Sequence, residues 1–173
     1  MSERERFIWA VGQQESGGNY RARNSSSGAL GRWQVMPANL PGWAAHCGMP
    51  PASPSYFLNH PAYQNRMIDC VLGGYYHAYG PRGAAAMWYS GQPDWHATYG
   101  NPPVWEYVAS VINIMNSGNA QPIPGVGGGS GPPPKVNARA EDYSATVVHT
   151  SHVHLHTGRA FHFVAVALHH LRR

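Results

Sequence analysis

One carboxylate, Glu15, stands at the end of a short amphipathic segment. It is followed by Ser16, the pair Gly17-Gly18, a polar loop and the run GALGRWQVMP. An acid so placed is suited to proton transfer. The carbonyl end of a helix disfavours an ionised carboxylate, and burial beside apolar groups disfavours it further. Both effects raise the pKa toward what a general acid needs at neutral pH. The competing reading is a solvated glutamate at a helix end. No second acid lies close in sequence: residues 16–68 contain no Asp or Glu, and Asp69, Asp94 and Glu106 come next. Asp69 reads as mid-helix, Asp94 as part of a turn and Glu106 as part of a last helix. Each has an ordinary surface reading, though a fold could bring one opposite Glu15.

The elements that must hold Glu15 follow from local chemistry. Ser2 and Glu5 have the spacing of a capping box, which opens a helix. Phe7, Ile8, Ala10 and Val11 fall together on its inward side, and Gly17-Gly18 ends it. Asn24 to Gly31 is rich in Ser and Gly and predicts a loop or tight turn. Trp33 to Trp43 holds two prolines and predicts a short helix. Cys47 to Pro61 is proline-rich and expected to be irregular. Ala62 to Tyr79 has helical spacing through Met67, Cys70, Val71 and Gly74. Gly83 to Tyr89 reads as a small-residue helix suited to close packing, with Ser90-Gly91 and the turn-like QPDW after it. Val104 to Met115 reads as a final helix with Val104, Val108, Val111, Ile112 and Met115 inward. Cys47 and Cys70 are compatible with one disulfide, contributing about 3 kcal/mol if formed, and equally with two reduced core thiols.

The stretch from Glu15 to Pro37 resembles the signature of the soluble lytic transglycosylases, which cleave peptidoglycan glycan strands. In that family a Glu-Ser pair follows a helix, and a Gly-Leu-Met-Gln-x-Met-Pro run comes later. Here those places read Glu15-Ser16 and Gly31-Arg32-Trp33-Gln34-Val35-Met36-Pro37. The family's Ala-Tyr-Asn-Ala-Gly helix end is resembled by Ala86-Met87-Trp88-Tyr89-Ser90-Gly91. Its Tyr-Val-x-x-Val helix is echoed by Tyr107-Val108-Ala109-Ser110-Val111. Each landmark alone is weak, but together they keep the family's order over residues 4–117.

The resemblance implies a mainly α, lysozyme-like domain with irregular loops and Glu15 as the catalytic acid. It implies that Gln34 and Met36 line the cleft, Gln34 by hydrogen-bonding an acetamido group. It also implies that the Tyr89 hydroxyl reaches toward the acid, that a family serine before the turn is matched by Ser25 counting back from Gln34 (Asn24 counting forward from Glu15), and that Tyr107 closes the cleft. Arg32-Trp33 departs from the usual Leu-Met; on this reading Trp33 stacks on a sugar and Arg32 meets a stem-peptide or lactyl carboxylate. Core packing is the alternative for Trp33. Ser90 replaces the usual Asn.

Glycosidases ordinarily use two carboxylates, whereas the family's reaction needs one. Its Glu protonates the glycosidic oxygen, then takes a proton from the muramic acid's own C6 hydroxyl, and a 1,6-anhydromuramoyl end forms without water. A lone acid therefore favours a peptidoglycan lytic transglycosylase cleaving the β-1,4 MurNAc-GlcNAc bond. A hydrolytic muramidase using Asp69 or Asp94 is the nearest rival. A non-catalytic glycan-binding module and a structural virion component are rivals of other classes. No cofactor is implied.

The organisation expected is a domain over residues 1–118, a Gly/Pro-rich linker over 119–134 and a His-rich tail over 135–173, disordered or small β. Alternation through the tail puts His152, His154 and His156 on one strand face, but without supporting Cys or carboxylate ligands no metal site is assigned. A formal net charge of +4 suits an acidic wall, while the lack of Lys/Arg clusters argues against nucleic acid. The N-terminus, charged and then only briefly apolar, does not read as a secretory signal, and no apolar run reaches the length expected of a membrane span. Delivery by a phage, in the virion or through a holin, is the localisation this implies, as an endolysin or a tail-associated domain.

Overall fold

The computed structural model describes residues 1–127. The distal part of the expected linker, the tail over 135–173 and the alternation of His152, His154 and His156 lie outside the described residues. Among the described residues five α-helices form the frame: α1 (Glu3–Ser16), α2 (Leu40–His46), α3 (Pro54–Asn59), α4 (Pro61–Ser90) and α5 (Val104–Asn116), with a 3-10 turn over Pro37–Asn39 ahead of α2. No strand forms among the described residues, only the isolated bridges Arg23–Leu30 and Leu30–Val35. The expected mainly α class holds.

α1 begins as its sequence requires. The Ser2 hydroxyl accepts the Glu5 backbone N–H, and the Glu5 carboxylate accepts the N–H of Ser2. It ends on Gly17 in the left-handed region (φ 64°), with Gly17 N–H on Gln13 O and Gly18 N–H on Gly12 O. That pair of bonds satisfies carbonyls the helix leaves open, and glycine carries the positive φ without strain. Phe7, Ile8, Ala10 and Val11 are buried, and α1 packs on both α4 and α5.

α4 is two helical segments rather than one rod. Gly80 (φ 67°, ψ 178°) interrupts it just before Pro81, where the proline can neither donate to the preceding turn nor fit against it. The break separates the two segments read from sequence. In α5, Val104, Tyr107, Val108, Val111 and Met115 are buried, whereas Ile112 is only partly buried against the core.

Two expectations need correcting. Within the proline-rich stretch from Cys47 to Pro61, residues Pro54–Asn59 form a helix. The Ser53 hydroxyl caps it, proline stands at its first turn where no N–H is needed, and Phe57 is buried beneath it. The packed unit also runs past 118. Ile123 and Val126 are buried, Asn65 Nδ2 donates to Pro124 O at 2.9 Å, and Gly127 N donates to Asp69 Oδ1 at 3.3 Å. Gly/Pro composition does not keep this segment off the domain, because two apolar side chains are buried and α4 supplies hydrogen-bond partners. No helix among the described residues is long and apolar enough to cross a membrane.

Cys47 and Cys70 form a disulfide, with Cα atoms 6.0 Å apart, tying the end of α2 to α4. Closing a loop of this length restricts the unfolded chain by about 3 kcal/mol. Replacing both cysteines by serine is accordingly expected to lower the unfolding free energy in urea by about that amount; an unchanged midpoint would show that the bridge contributes nothing.

Candidate active site

The Glu15 side chain lies at the junction of three helices and is 3% exposed. From α5 the Tyr107 hydroxyl donates to Glu15 Oε1 at 2.6 Å. From α4 the Trp88 indole also hydrogen-bonds the carboxyl. Tyr89 stacks flat on Tyr107, with ring centroids 4.4 Å apart and planes at 12°. One turn along, Ser110 Oγ donates to Gln14 Oε1 at 2.6 Å, which fixes α1 against α5 a second time.

Burial pushes the Glu15 pKa up to about 8, and the Tyr107 and Trp88 donors, which favour the carboxylate, offset only part of this. Burial, and then the nearby Glu15, push Tyr89 up to about 12 and Tyr107 well above the ordinary tyrosine value. Both phenols therefore stay protonated through the neutral range and act toward Glu15 as neutral neighbours. The carboxyl is an acid at neutral pH. As it gives up its proton, the growing negative charge meets two fixed donors.

A short hairpin-like segment abuts the end of α1. Ser16 Oγ donates to Arg32 O at 2.7 Å, so the residue after Glu15 fixes the backbone of the later motif. Leu30 and Val35 exchange backbone hydrogen bonds of 2.9 and 2.8 Å. Fully buried Gln64 holds the segment from below. Its Oε1 accepts Arg32 N at 3.1 Å, and its Nε2 donates to Tyr20 O and to Phe57 O, both at 2.9 Å. Gly31 (φ 71°) is required at this point, since a Cβ there would lie 2.3 Å from Gln64 Oε1.

The residues expected at the cleft fare differently. Gln34 and Met36 are half-buried on this run, and Gln34 adopts a left-handed φ of 52° with Nε2 donating to Gly31 O at 3.0 Å. Ser25 is exposed on the preceding loop, and no hydrogen bond joins it to Glu15. Tyr107, expected to close the cleft, is buried and holds the acid from α5. The Tyr89 hydroxyl, expected to reach toward the acid, donates to Pro102 O at 2.8 Å and lies near enough to Glu15 for that carboxyl to raise its pKa. The α4 residue that bonds the acid is Trp88, which the sequence reading left without a role. Counting back from Gly91 along Ala-Tyr-Asn-Ala-Gly places the family tyrosine at Trp88, and that register was the available signal.

Trp33 does not face a sugar. It is 0% exposed, with Nε1 donating to Ile8 O at 2.9 Å and its ring edge-on to Tyr20. Arg32 is 8% exposed, and its guanidinium lies 5.3 and 5.2 Å from the Tyr20 and Trp33 ring centroids. The cause is Gly12, which leaves the surface of α1 open. A Cβ there would come within 2.7 Å of Arg32 Nε and 3.0 Å of Trp33 Nε1. Both large side chains fill that space and pack inward.

Among the described residues no other acid hydrogen-bonds Glu15. Asp69 pairs with Arg4 at 2.7 Å. Arg4 and Glu15 are separated along α1 by roughly 16 Å of helix. Asp94 is exposed and its Oδ1 accepts His96 N at 3.0 Å; Glu106 is exposed in the first turn of α5. No second carboxylate is among the influences that shift Glu15.

Residues 2–65 match the family model described as Transglycosylase SLT domain. Over those residues the chain is similar to the soluble lytic transglycosylases. No curated protein and no solved structure matches the chain. The SLT match supports glycan cleavage of the lytic transglycosylase type in general. It covers α1, the hairpin-like segment and Gln64, and ends before Trp88, Tyr89 and Tyr107.

The raised pKa also bears on stability. An unfolded Glu ionises near its ordinary value of 4.5, and folded Glu15 near 8. Between these values the native state holds a proton the unfolded state has lost, so Glu15 lowers stability progressively as pH rises through that window. Glu15→Gln removes the titration while keeping an acceptor for Tyr107. Its unfolding free energy is expected to match the parent's at about pH 4 and to exceed it at about pH 8 by several kcal/mol, to order of magnitude. A difference independent of pH would mean that Glu15 is not held protonated.

Proposed function

We propose that this chain cleaves the β-1,4 bond between N-acetylmuramic acid and N-acetylglucosamine in peptidoglycan without consuming water, with Glu15 as the single acid and base. The observation that carries the reading is the lone carboxyl, buried, kept protonated at neutral pH and gripped by Tyr107 and Trp88.

In the proposed reaction Glu15 gives its proton to the glycosidic oxygen as the bond from that oxygen to the muramic C1 breaks. The leaving sugar departs with a free 4-hydroxyl. The substrate's 2-acetamido group stabilises the cationic C1 centre, in the place of a protein nucleophile. The muramic C6 hydroxyl then bonds to C1 and passes its proton to the Glu15 carboxylate. The acid is thereby restored and a 1,6-anhydromuramoyl end remains. Tyr107 and Trp88 stabilise the carboxylate between the two steps. Gln34 and Met36 are the proposed cleft-lining residues, and Ser25 is proposed to border the cleft from its loop.

Mass spectrometry of digested peptidoglycan is the direct test. Anhydro ends are expected; reducing ends that take oxygen from labelled water would establish hydrolysis instead. Glu15→Gln is expected to lower turnover by at least about a hundredfold. Activity of the parent should fall as pH rises through about 8, where Glu15 loses its proton. Tyr107→Phe removes a donor that favours the carboxylate, so it should slow turnover and move that alkaline limb upward. A limb that stays in place would separate the two residues functionally.

A further inference from the structure

Four of the six tryptophans, Trp9, Trp33, Trp43 and Trp88, are buried. The other two, Trp95 at 38% and Trp105 at 49% exposure, both line one open groove of about 470 Å³. Arg82, His96, Ile112 and Asn113 line it with them. The groove is on the outer side of α5: Trp105 lies roughly 160° around the helix from Tyr107, which faces the acid. Two large apolar rings held in water at one concave place are unusual in a chain that buries the rest.

The lining has a definite chemistry. The Arg82 guanidinium sits 5.4 Å from the Trp95 ring centroid and pairs with no acid among the described residues. The His96 ring lies against Trp95 with centroids 3.5 Å apart. No Asp or Glu lines the groove, and its volume is in the range of small-ligand sites. The half-exposed Trp105 indole suits the C–H face of a pyranose ring, while Trp95, with Arg82 and His96 against its ring, offers its exposed part as the groove's second apolar wall. Asn113 can both donate to and accept from an acetamido group, and the free cation suits a carboxylate. A second copy of the chain is a poorer occupant, because a net charge of +4 opposes self-association.

We infer that this groove is a second glycan site, which takes an acidic N-acetylated sugar strand through Trp95, Trp105 and Arg82 and anchors the enzyme to the wall while Glu15 acts on another segment. The inference rests on the peptidoglycan reading but concerns a different surface. A strand held there raises the effective concentration of neighbouring glycan at the acid. The gain appears on an insoluble polymer and is absent on a substrate too short to span both places.

The test separates binding from cleavage. Co-sedimentation of the full-length Glu15→Gln chain with purified sacculi reads the groove even if the parent cleaves nothing, in which case only the catalytic reading fails. Adding Trp95→Ala and Trp105→Ala is expected to weaken retention about tenfold. Arg82→Glu should weaken it too and flatten its salt dependence. All three side chains are exposed or at the groove rim, and unchanged melting curves would confirm that the fold is retained. With Glu15 intact, Trp105→Ala should slow release of fragments from sacculi and leave turnover of a soluble GlcNAc-MurNAc tetrasaccharide at the parent rate. Undiminished retention overturns the inference. Equal loss on the tetrasaccharide also overturns it, by making the groove part of the catalytic cleft. So does a parent dimer, seen by sedimentation, that Trp105→Ala dissolves.

Discussion

The fold centres on a carboxyl group taken out of water and kept neutral. Glu15 could lie in the core as an ion only with strong compensation, since burying a charge is far more costly than burying its protonated form. The three helices meeting there supply two uncharged donors and no cation. That balance leaves the acid protonated near neutral pH and still supports its anion when the proton leaves. A lysine or arginine in the place of Tyr107 would stabilise the carboxylate too well for it to serve as an acid.

Holding that carboxyl requires the end of α1 to be fixed from two sides. On one side α5 brings Tyr107 to Glu15 and Ser110 to Gln14. On the other, Ser16 bonds the carbonyl of Arg32, and Gln64 secures the same backbone from α4. Gln64 is fully buried yet makes three hydrogen bonds, so its burial is compensated. Gly31 and Gly12 are small for the same reason: each leaves space for a polar or charged group of a neighbouring element. The adjacency of Glu15 and Ser16 thus has a mechanical meaning, because one residue is the acid and the next ties its helix end to the segment that carries Gln34.

The aromatic residues divide between two tasks. Trp33, Trp43 and Trp88 fill the interior, with Trp43 and Trp88 in contact at 5.6 Å between centroids. Tyr89 and Tyr107 form a stacked pair beside the acid. Trp95 and Trp105 remain at the surface, on the far side of α5. A sequence rich in aromatics does not reveal this division, because the same indole serves as core filler or as a sugar platform according to which helix face carries it.

Local rules determined much of this protein in advance. The capping box at Ser2, the glycine stop after Glu15, the separation of the segment ending at Tyr79 from the one beginning at Gly83, and the inward stripe of α5 depend on neighbours a few residues away, so the sequence alone was sufficient to read them. The order of the motifs likewise carried the resemblance to the soluble lytic transglycosylases, which the family match over residues 2–65 supports. Long-range placement was another matter. Whether Trp33 faces a sugar or the core depends on the missing Cβ of Gly12 on another element. Whether Tyr89 or Trp88 reaches the acid depends on a rotation of about 100° around α4. The pairing of Cys47 with Cys70 and the docking of Ile123 and Val126 depend on where α4 passes. Those contacts join residues distant in the chain, and their geometry is fixed only when the helices pack, so tertiary structure alone decided them.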